Sequence, residues 1–176
     1  MMPLLALVLS LVAARPSPPS PSLPEERAII EAALRYPILM GETDGGRFRL
    51  RSRTAPLGTA RAYFRDFAPK VQISWQARDQ PGEFLTIPPD VLASLDARNT
   101  STLSLRGVRQ PARTARMADR DVRYAKAIVV SRPGVSADGL HALIEIGTDD
   151  ASGFCIYLEK REGHWVAIAD GANYES

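Results

Sequence analysis

The chain has 176 residues, a formal charge of +2 and 45% hydrophobic residues, which suits one domain with a sizeable core. Its one cysteine, Cys155, excludes an internal disulfide, so the core must hold without covalent staples. From Arg47 to Arg123, fifteen Lys/Arg stand against seven Asp/Glu, whereas Pro16 to Gly46 and Tyr124 to Ser176 each carry an acidic excess. That asymmetry fits either a polyanion-facing surface or charge pairing between segments.

Leu4 to Ala14 is an uncharged apolar run about as long as a signal-peptide h-region and too short to span a bilayer. Val12 and Ala14 supply small residues where a peptidase can cut, although Met1-Met2-Pro3 lacks the usual basic residue. Residues 1–14 are therefore expected to be a signal peptide, and the mature chain to be exported, periplasmic or secreted. Arg15 to Pro24 holds five prolines and three serines, the composition of an extended spacer rather than a core. No cysteine follows the apolar run, so neither a lipid anchor nor a transmembrane span is expected after cleavage. Residues 25–176 are read as a single α+β domain.

Pro24 to Tyr36 predicts a helix, with Pro24 at its start, Glu25 and Glu26 in the first turn, and Ile29, Ile30, Ala33 and Leu34 as its apolar stripe. Gly41 to Gly46 reads as a loop. Arg47 to Arg53 alternates arginine with Phe48, Leu50 and Ser52, the pattern of a half-buried strand. Val71 to Gln76 and Glu83 to Ile87 read as strands, Pro89 to Arg98 as a short helix, and Pro111 to Val122 as an alanine-rich helix. Four further strands are expected at Ala125 to Ser131, His141 to Gly147, Phe154 to Lys160 and Trp165 to Ala169, separated by turns at Pro133-Gly134, Asp138-Gly139, Asp149 to Gly153 and Glu162-Gly163. They predict an antiparallel meander with one side packed on the N-terminal helix. Cys155, inside such a strand, is expected to be a small buried residue.

The stretch SRPGVSADGLHALIEIG followed by GFCIYLEKREGHWVAI, with the upstream IPPDVLASLDARNTSTLSL, is similar to a recurring type of exported bacterial protein of uncharacterised activity. Those chains run through a strand, an Asp-Gly turn, an ALI/V strand, a glycine-containing loop, a YLLEK strand and a GKWVV arm. Here the loop is the shorter DDASG, and His164 stands where Lys is usual. The resemblance implies an N-terminal helix packed on a β-meander of cystatin-like type, and no activity.

The motifs of the best-understood hydrolases, metal enzymes and nucleotide enzymes are absent: no GxSxG, HExxH, CxxC or phosphate-binding glycine loop. His141 and His164 are too few for a tight metal site, so no metal or cofactor is expected. Asp138, Asp149 and Asp150 suit loops for backbone reasons. Together with His141 they would form the site in the alternative reading, a small periplasmic hydrolase assembled from the loops of the C-terminal meander. Asn99-Thr100-Ser101 matches a glycosylation pattern. The most distinctive feature is the spacing of Arg106, Arg109, Arg113, Arg116, Arg120 and Arg123, at alternating intervals of three and four, although Gly107 and Pro111 interrupt any continuous helix. Beside the Arg47 to Arg53 strand, that stripe would suit phosphate or carboxylate groups of an envelope polymer or a lipid headgroup. Nucleic acid is a poorer partner, because aromatic residues are not interleaved with the basic ones. The leading expectation is an exported, non-enzymatic binding domain.

Overall fold

The computed structural model describes residues 21–36, 48–56, 70–73, 84–109, 126–148 and 153–174. The segments expected to be a signal peptide and, at Pro111 to Val122, a helix lie outside them, as does most of the spacer. Helix α1 spans Leu23–Leu34; Ser22 is its N-cap, its hydroxyl accepting from the Glu25 N–H at 3.4 Å, and Pro24 sits in the first turn where a missing N–H costs nothing. Helix α2 spans Pro89–Arg98 as its sequence predicts, closed by Asn99, whose Nδ2 donates to the Leu95 carbonyl at 2.8 Å.

The strands are β1 (Phe48–Leu50), β2 (Lys70–Ile73), β3 (Phe84–Thr86), β4 (Lys126–Val130), β5 (Gly134–Val135), β6 (His141–Thr148), β7 (Gly153–Arg161) and β8 (His164–Tyr174). They form one sheet in the order β1-β4-β6-β7-β8-β2-β3, with β5 paired to β6. All pairs are antiparallel except β1 with β4, which run parallel, so the fold is α+β with an expected meander at its centre and one parallel strand added at its edge. The β7–β8 hairpin turns on Glu162 (φ 51°) and Gly163 (φ 80°), the pair of positive φ values a two-residue type I′ turn requires. Against β7, β8 carries an extra residue at Ile168 and another at Asn173, and such bulges bend a strand.

Two findings go beyond the expectations. First, α1 packs on one face of the sheet as expected, and the other face is covered too. Alternation along β6 and β7 sends Ala142, Ile144, Ile146, Phe154, Ile156 and Leu158 to Ile29, Ile30, Ala33 and Leu34 of α1. The alternate residues Leu143, Cys155 and Tyr157 pack against Val91 and Leu95 of α2. The near-continuous apolar runs ALI and FCIYL are the signature of that two-sided burial. Cys155 is accordingly fully buried.

Second, Pro133-Gly134 is not a plain turn, because Gly134 begins β5. A Cβ at Gly134 would lie 2.5 Å from the Leu95 backbone nitrogen and against the Val91 carbonyl, so only glycine lets α2 lie this close to the strand. The Val135 N–H donates to the Ser94 hydroxyl of α2 at 3.1 Å and closes that contact.

Candidate functional site

Arginine occupies two contrasting environments. In the first, Glu26 lies on the buried stripe of α1, one turn before Ile29 and Ile30, and its carboxylate must therefore be paired. It accepts from Nη2 of Arg98, at the last turn of α2, and from Arg132, whose Nε and Nη2 reach its two oxygens at 3.1 and 2.7 Å. The remaining Arg132 nitrogen, Nη1, donates to the Ser101 hydroxyl at 2.7 Å. Asn99 locks the same corner: Oδ1 accepts from the Arg132 N–H, and Nδ2 donates to the Arg132 carbonyl, each at 2.9 Å. The Asn99 amide nitrogen thus has two acceptors and is not free for a sugar. A basic residue from the central segment and one from the C-terminal segment here neutralise an acid from the N-terminal segment. Charge pairing between segments therefore accounts for part of the asymmetry in the sequence.

The second environment lies just beyond. After β1 the chain continues beside β4, from the Arg51 N–H donating to the Ile128 carbonyl at 2.9 Å to the Ala55 N–H donating to the Val130 carbonyl at 3.0 Å. Four residues of this segment thus pass two of β4, so it bulges outward between them. The bulge brings Arg53 into an antiparallel bridge with Ser104. Flanking bonds from Thr54 to Leu103 and from Leu105 to Ser52, each 2.9 Å, make it a non-hydrogen-bonded pair, the type whose side chains stand closest. Thr54 and Leu105 turn inward and are buried, while Arg51, Arg53 and Arg106 are exposed.

Arg53 donates from Nε and Nη2 to the Thr102 hydroxyl at 3.1 and 2.9 Å, which fixes its guanidinium without neutralising it. Neither Arg51 nor Arg106 has a carboxylate partner among the described residues. Arg106 and Gly107 form a turn closed by the Val108 N–H on the Leu105 carbonyl at 3.1 Å, with Gly107 at φ 87°. Arg109 follows, exposed, its backbone N–H donating to Glu31 at 2.8 Å. Arg106 and Arg109 therefore stand on turn and loop, and their spacing of three is not helical. Arg113, Arg116, Arg120 and Arg123 lie outside the described residues. The structure brings Ser52 to Thr54 against Leu103 to Leu105, beside the beginning of the arginine series, an adjacency the sequence suggested but could not place.

Of the other candidate residues, Asp138 and His141 come together, at the far end of the strap that runs from β4 through β5 into β6. Asp138 accepts from the Ser136 hydroxyl and from the Leu140 N–H at 2.9 Å, and these bonds hold its carboxyl below the usual carboxylate range. Ser136 in turn accepts from the His141 N–H at 2.9 Å. His141 stacks on Tyr157 with the two rings 3° from parallel, and the Tyr157 hydroxyl is pushed up to about 12 by burial and by the nearby Glu159, Asp138 and Asp90 carboxylates. Asp90 caps the strap by accepting from the Ala137 N–H at 2.8 Å.

These groups brace a turn. A carboxylate with a depressed pKa and one oxygen spent on two donors is a weak general base. Asp149 and Asp150 lie outside the described residues, and β6, about 23 Å long, separates them in the chain from His141. His141 and His164 are on β6 and β8 with β7 between them, and no cluster of three metal-ligating side chains occurs among the described residues.

A third polar contact ties α1 to the sheet: the Tyr36 hydroxyl donates to Asp170 on β8 at 2.7 Å. Burial raises the Asp170 carboxyl, and the Tyr36 bond partly offsets that rise. The sequence reading missed this pair and the Glu26 cluster. Glu26 left a signal in its position on an apolar stripe; Asp170 left none. Comparison with known protein families, with curated proteins and with solved structures found no match to this chain.

Proposed function

We propose that this chain is an exported, non-enzymatic binding domain for anionic polymers of the cell envelope, and that the exposed arginines around the Arg53–Ser104 bridge form its contact face. One observation carries the reading. Arg98 is buried and Arg132 half-buried on a carboxylate, whereas Arg51, Arg53 and Arg106 are exposed with no acid to neutralise them among the described residues. Guanidinium groups left uncompensated at one edge are suited to bidentate contacts with phosphate, sulfate or carboxylate. Arg109, and after it Arg113, Arg116, Arg120 and Arg123, would extend the same face. The filled sheet favours a surface function over a cleft reaction, because residues 142–147 and 153–158 are all buried.

In this reading the core is cystatin-like: α1 lies on an antiparallel sheet whose last strand is bulged, and α2 with β5 is an addition on the far face. Export rests on the Leu4 to Ala14 run and the Pro/Ser spacer. No helix among the described residues is long and apolar enough to cross a membrane.

Two measurements test the proposal. Cell fractionation with intact-mass analysis should find the chain outside the cytosol and cut before Pro24; a cytosolic chain retaining Met1 would refute export. On immobilised dextran sulfate, the chain should elute at markedly higher salt than its Arg51→Gln/Arg106→Gln variant, with identical circular dichroism. Co-elution of the two would remove the arginine face from the account.

A further inference from the structure

The far end of the strap gathers negative charge around a single phenol. The Lys160 N–H donates to the Leu140 carbonyl at 2.8 Å, so His141 and Glu159, the next pair along β6 and β7, are a non-hydrogen-bonded pair whose side chains stand closest. Tyr157, diagonal to His141 on the same face, stacks on it with ring centroids 5.8 Å apart. Asp138 reaches this corner from the strap and Asp90 from the first turn of α2, and each accepts only from neutral donors, Ser136 and Leu140 for the one and Ala137 for the other. Glu159 alone meets a cation, Arg161 at 2.9 Å, in a pair at the surface. Three carboxylates thus share one guanidinium among the described residues.

Tyr157 marks where their charge converges. The residue is only 4% exposed, yet its hydroxyl has no hydrogen-bond partner among the described residues, and a phenol so placed is normally paired. Burial, then Glu159, Asp138 and Asp90, push that hydroxyl up to about 12, so all three carboxylates act on the same oxygen. No three metal-ligating side chains are grouped to hold a metal ion among the described residues. A cation that spreads its charge over several N–H donors can instead reach acceptors too far apart to share one ion.

We infer that this corner binds an organic cation bearing N–H donors, an alkylammonium or guanidinium group, which donates to the Tyr157 oxygen and to the carboxylate oxygens that the strap and Arg161 leave unused. The site is independent of the arginine face. Its acceptors are held in advance, Asp138 by Ser136 and Leu140, Asp90 by Ala137 and the Tyr157 ring by its stack on His141, so little side-chain freedom is lost on binding.

The test is titration of the ¹⁵N-labelled chain at constant ionic strength with agmatine, cadaverine, tetramethylammonium and Ca²⁺, following the amide resonances of Ala137, Leu140 and Glu159. Agmatine or cadaverine should shift them saturably, and the ratio of their affinities tells whether guanidinium or ammonium is preferred. Tetramethylammonium, which has charge but no N–H, and Ca²⁺ should each bind more weakly by about fivefold or more, the worth of one charge-assisted hydrogen bond. Tyr157→Phe keeps the ring and its stack and should fold with unchanged circular dichroism, yet bind the better amine about fivefold more weakly. Glu159→Gln, near the surface, should weaken it by a similar factor. The inference is overturned if neither amine shifts these resonances, if tetramethylammonium or Ca²⁺ binds as tightly as the amines, or if both variants bind as the parent chain does.

Discussion

The strap from Ser131 to His141, with β5 inside it, and the bridge around Arg53 both set polar side chains on short stretches of chain, yet their hydrogen bonds end in different places. In the strap, polar groups end on the protein itself. Ser131 accepts from the Glu145 N–H, Arg132 holds Glu26, Val135 holds Ser94, Ala137 holds Asp90 and Ser136 holds His141. Those contacts fasten α1 to one face of the sheet and α2 to the other. At the bridge, backbone bonds close the pair on either side, but the arginine side chains face outward without an acid among the described residues. The same residue type thus serves stability in one region and leaves an open valence in the other, and only the location of the carboxylates distinguishes them.

The sharpest way to break the strap is Gly134→Ala. The new methyl would meet backbone atoms of α2, which cannot swing aside as a flexible side chain could, so the helix must shift; a loss of about 3 kcal/mol is expected. Chemical denaturation should show a midpoint that falls at an unchanged slope. The bridge has no glycine of this kind, and Gly107→Ala, strained only by its positive φ, should cost about 1 kcal/mol.

Neutralising Glu26 is the next largest effect. Glu26→Gln leaves the Arg98 guanidinium buried without a counter-charge and should cost about 3 kcal/mol or slightly less, whereas Arg51→Gln, exposed and with no carboxylate partner among the described residues, should stay within about 0.5 kcal/mol. Comparable losses for the two would erase the distinction between the regions.

The pH dependence sharpens the same comparison. The Asp138 carboxyl is depressed from 3.8 in the folded chain, so its bonds to Ser136 and Leu140 contribute stability that is complete above that value and lost as pH falls through the native pKa. Asp138→Asn should lose that contribution, lying below the parent chain in stability above pH 3.8 and converging on it as the pH falls. Asp170 has the opposite sign. Its raised carboxyl is best tolerated protonated, so its contribution is complete below 3.8 and diminishes as pH rises through the native value; Asp170→Asn should gain stability towards neutrality relative to the parent chain.

Smallest is the hairpin. Glu162 adopts φ 51°, a conformation Asn tolerates better, and Glu162→Asn should raise stability by about 0.5 kcal/mol without affecting either region.

Much of the frame was legible because it rests on local chemistry. Proline opens α2 and asparagine closes it, so Pro89–Arg98 coincides at both ends; Glu162-Gly163 marks the hairpin; and β6, β7 and β8 follow their apolar runs. What escaped notice depends on residues far apart in the chain. The parallel β1–β4 pair joins Phe48–Leu50 to Lys126–Ile128, which no local pattern encodes. β5 was hidden because Pro133-Gly134 has the composition of a turn, and its reason for being glycine lies in α2. The two-sided sheet is legible in FCIYL, where apolar residues occupy both parities, although the alternation of either face alone fits a sheet covered on one side. Of the arginine face, the sequence named Arg106 and Arg109 and suspected Arg51 and Arg53. The bulge that places Arg53 opposite Ser104 is a tertiary event.

The most direct test of the central claim follows the arginine side chains individually. With dextran sulfate titrated into the ¹⁵N-labelled chain, the Nε resonances of Arg51, Arg53 and Arg106 should shift progressively, while those of Arg98 and Arg132, held on Glu26, stay in place. Shifts at Arg98 and Arg132, or none at Arg51, Arg53 and Arg106, would contradict it.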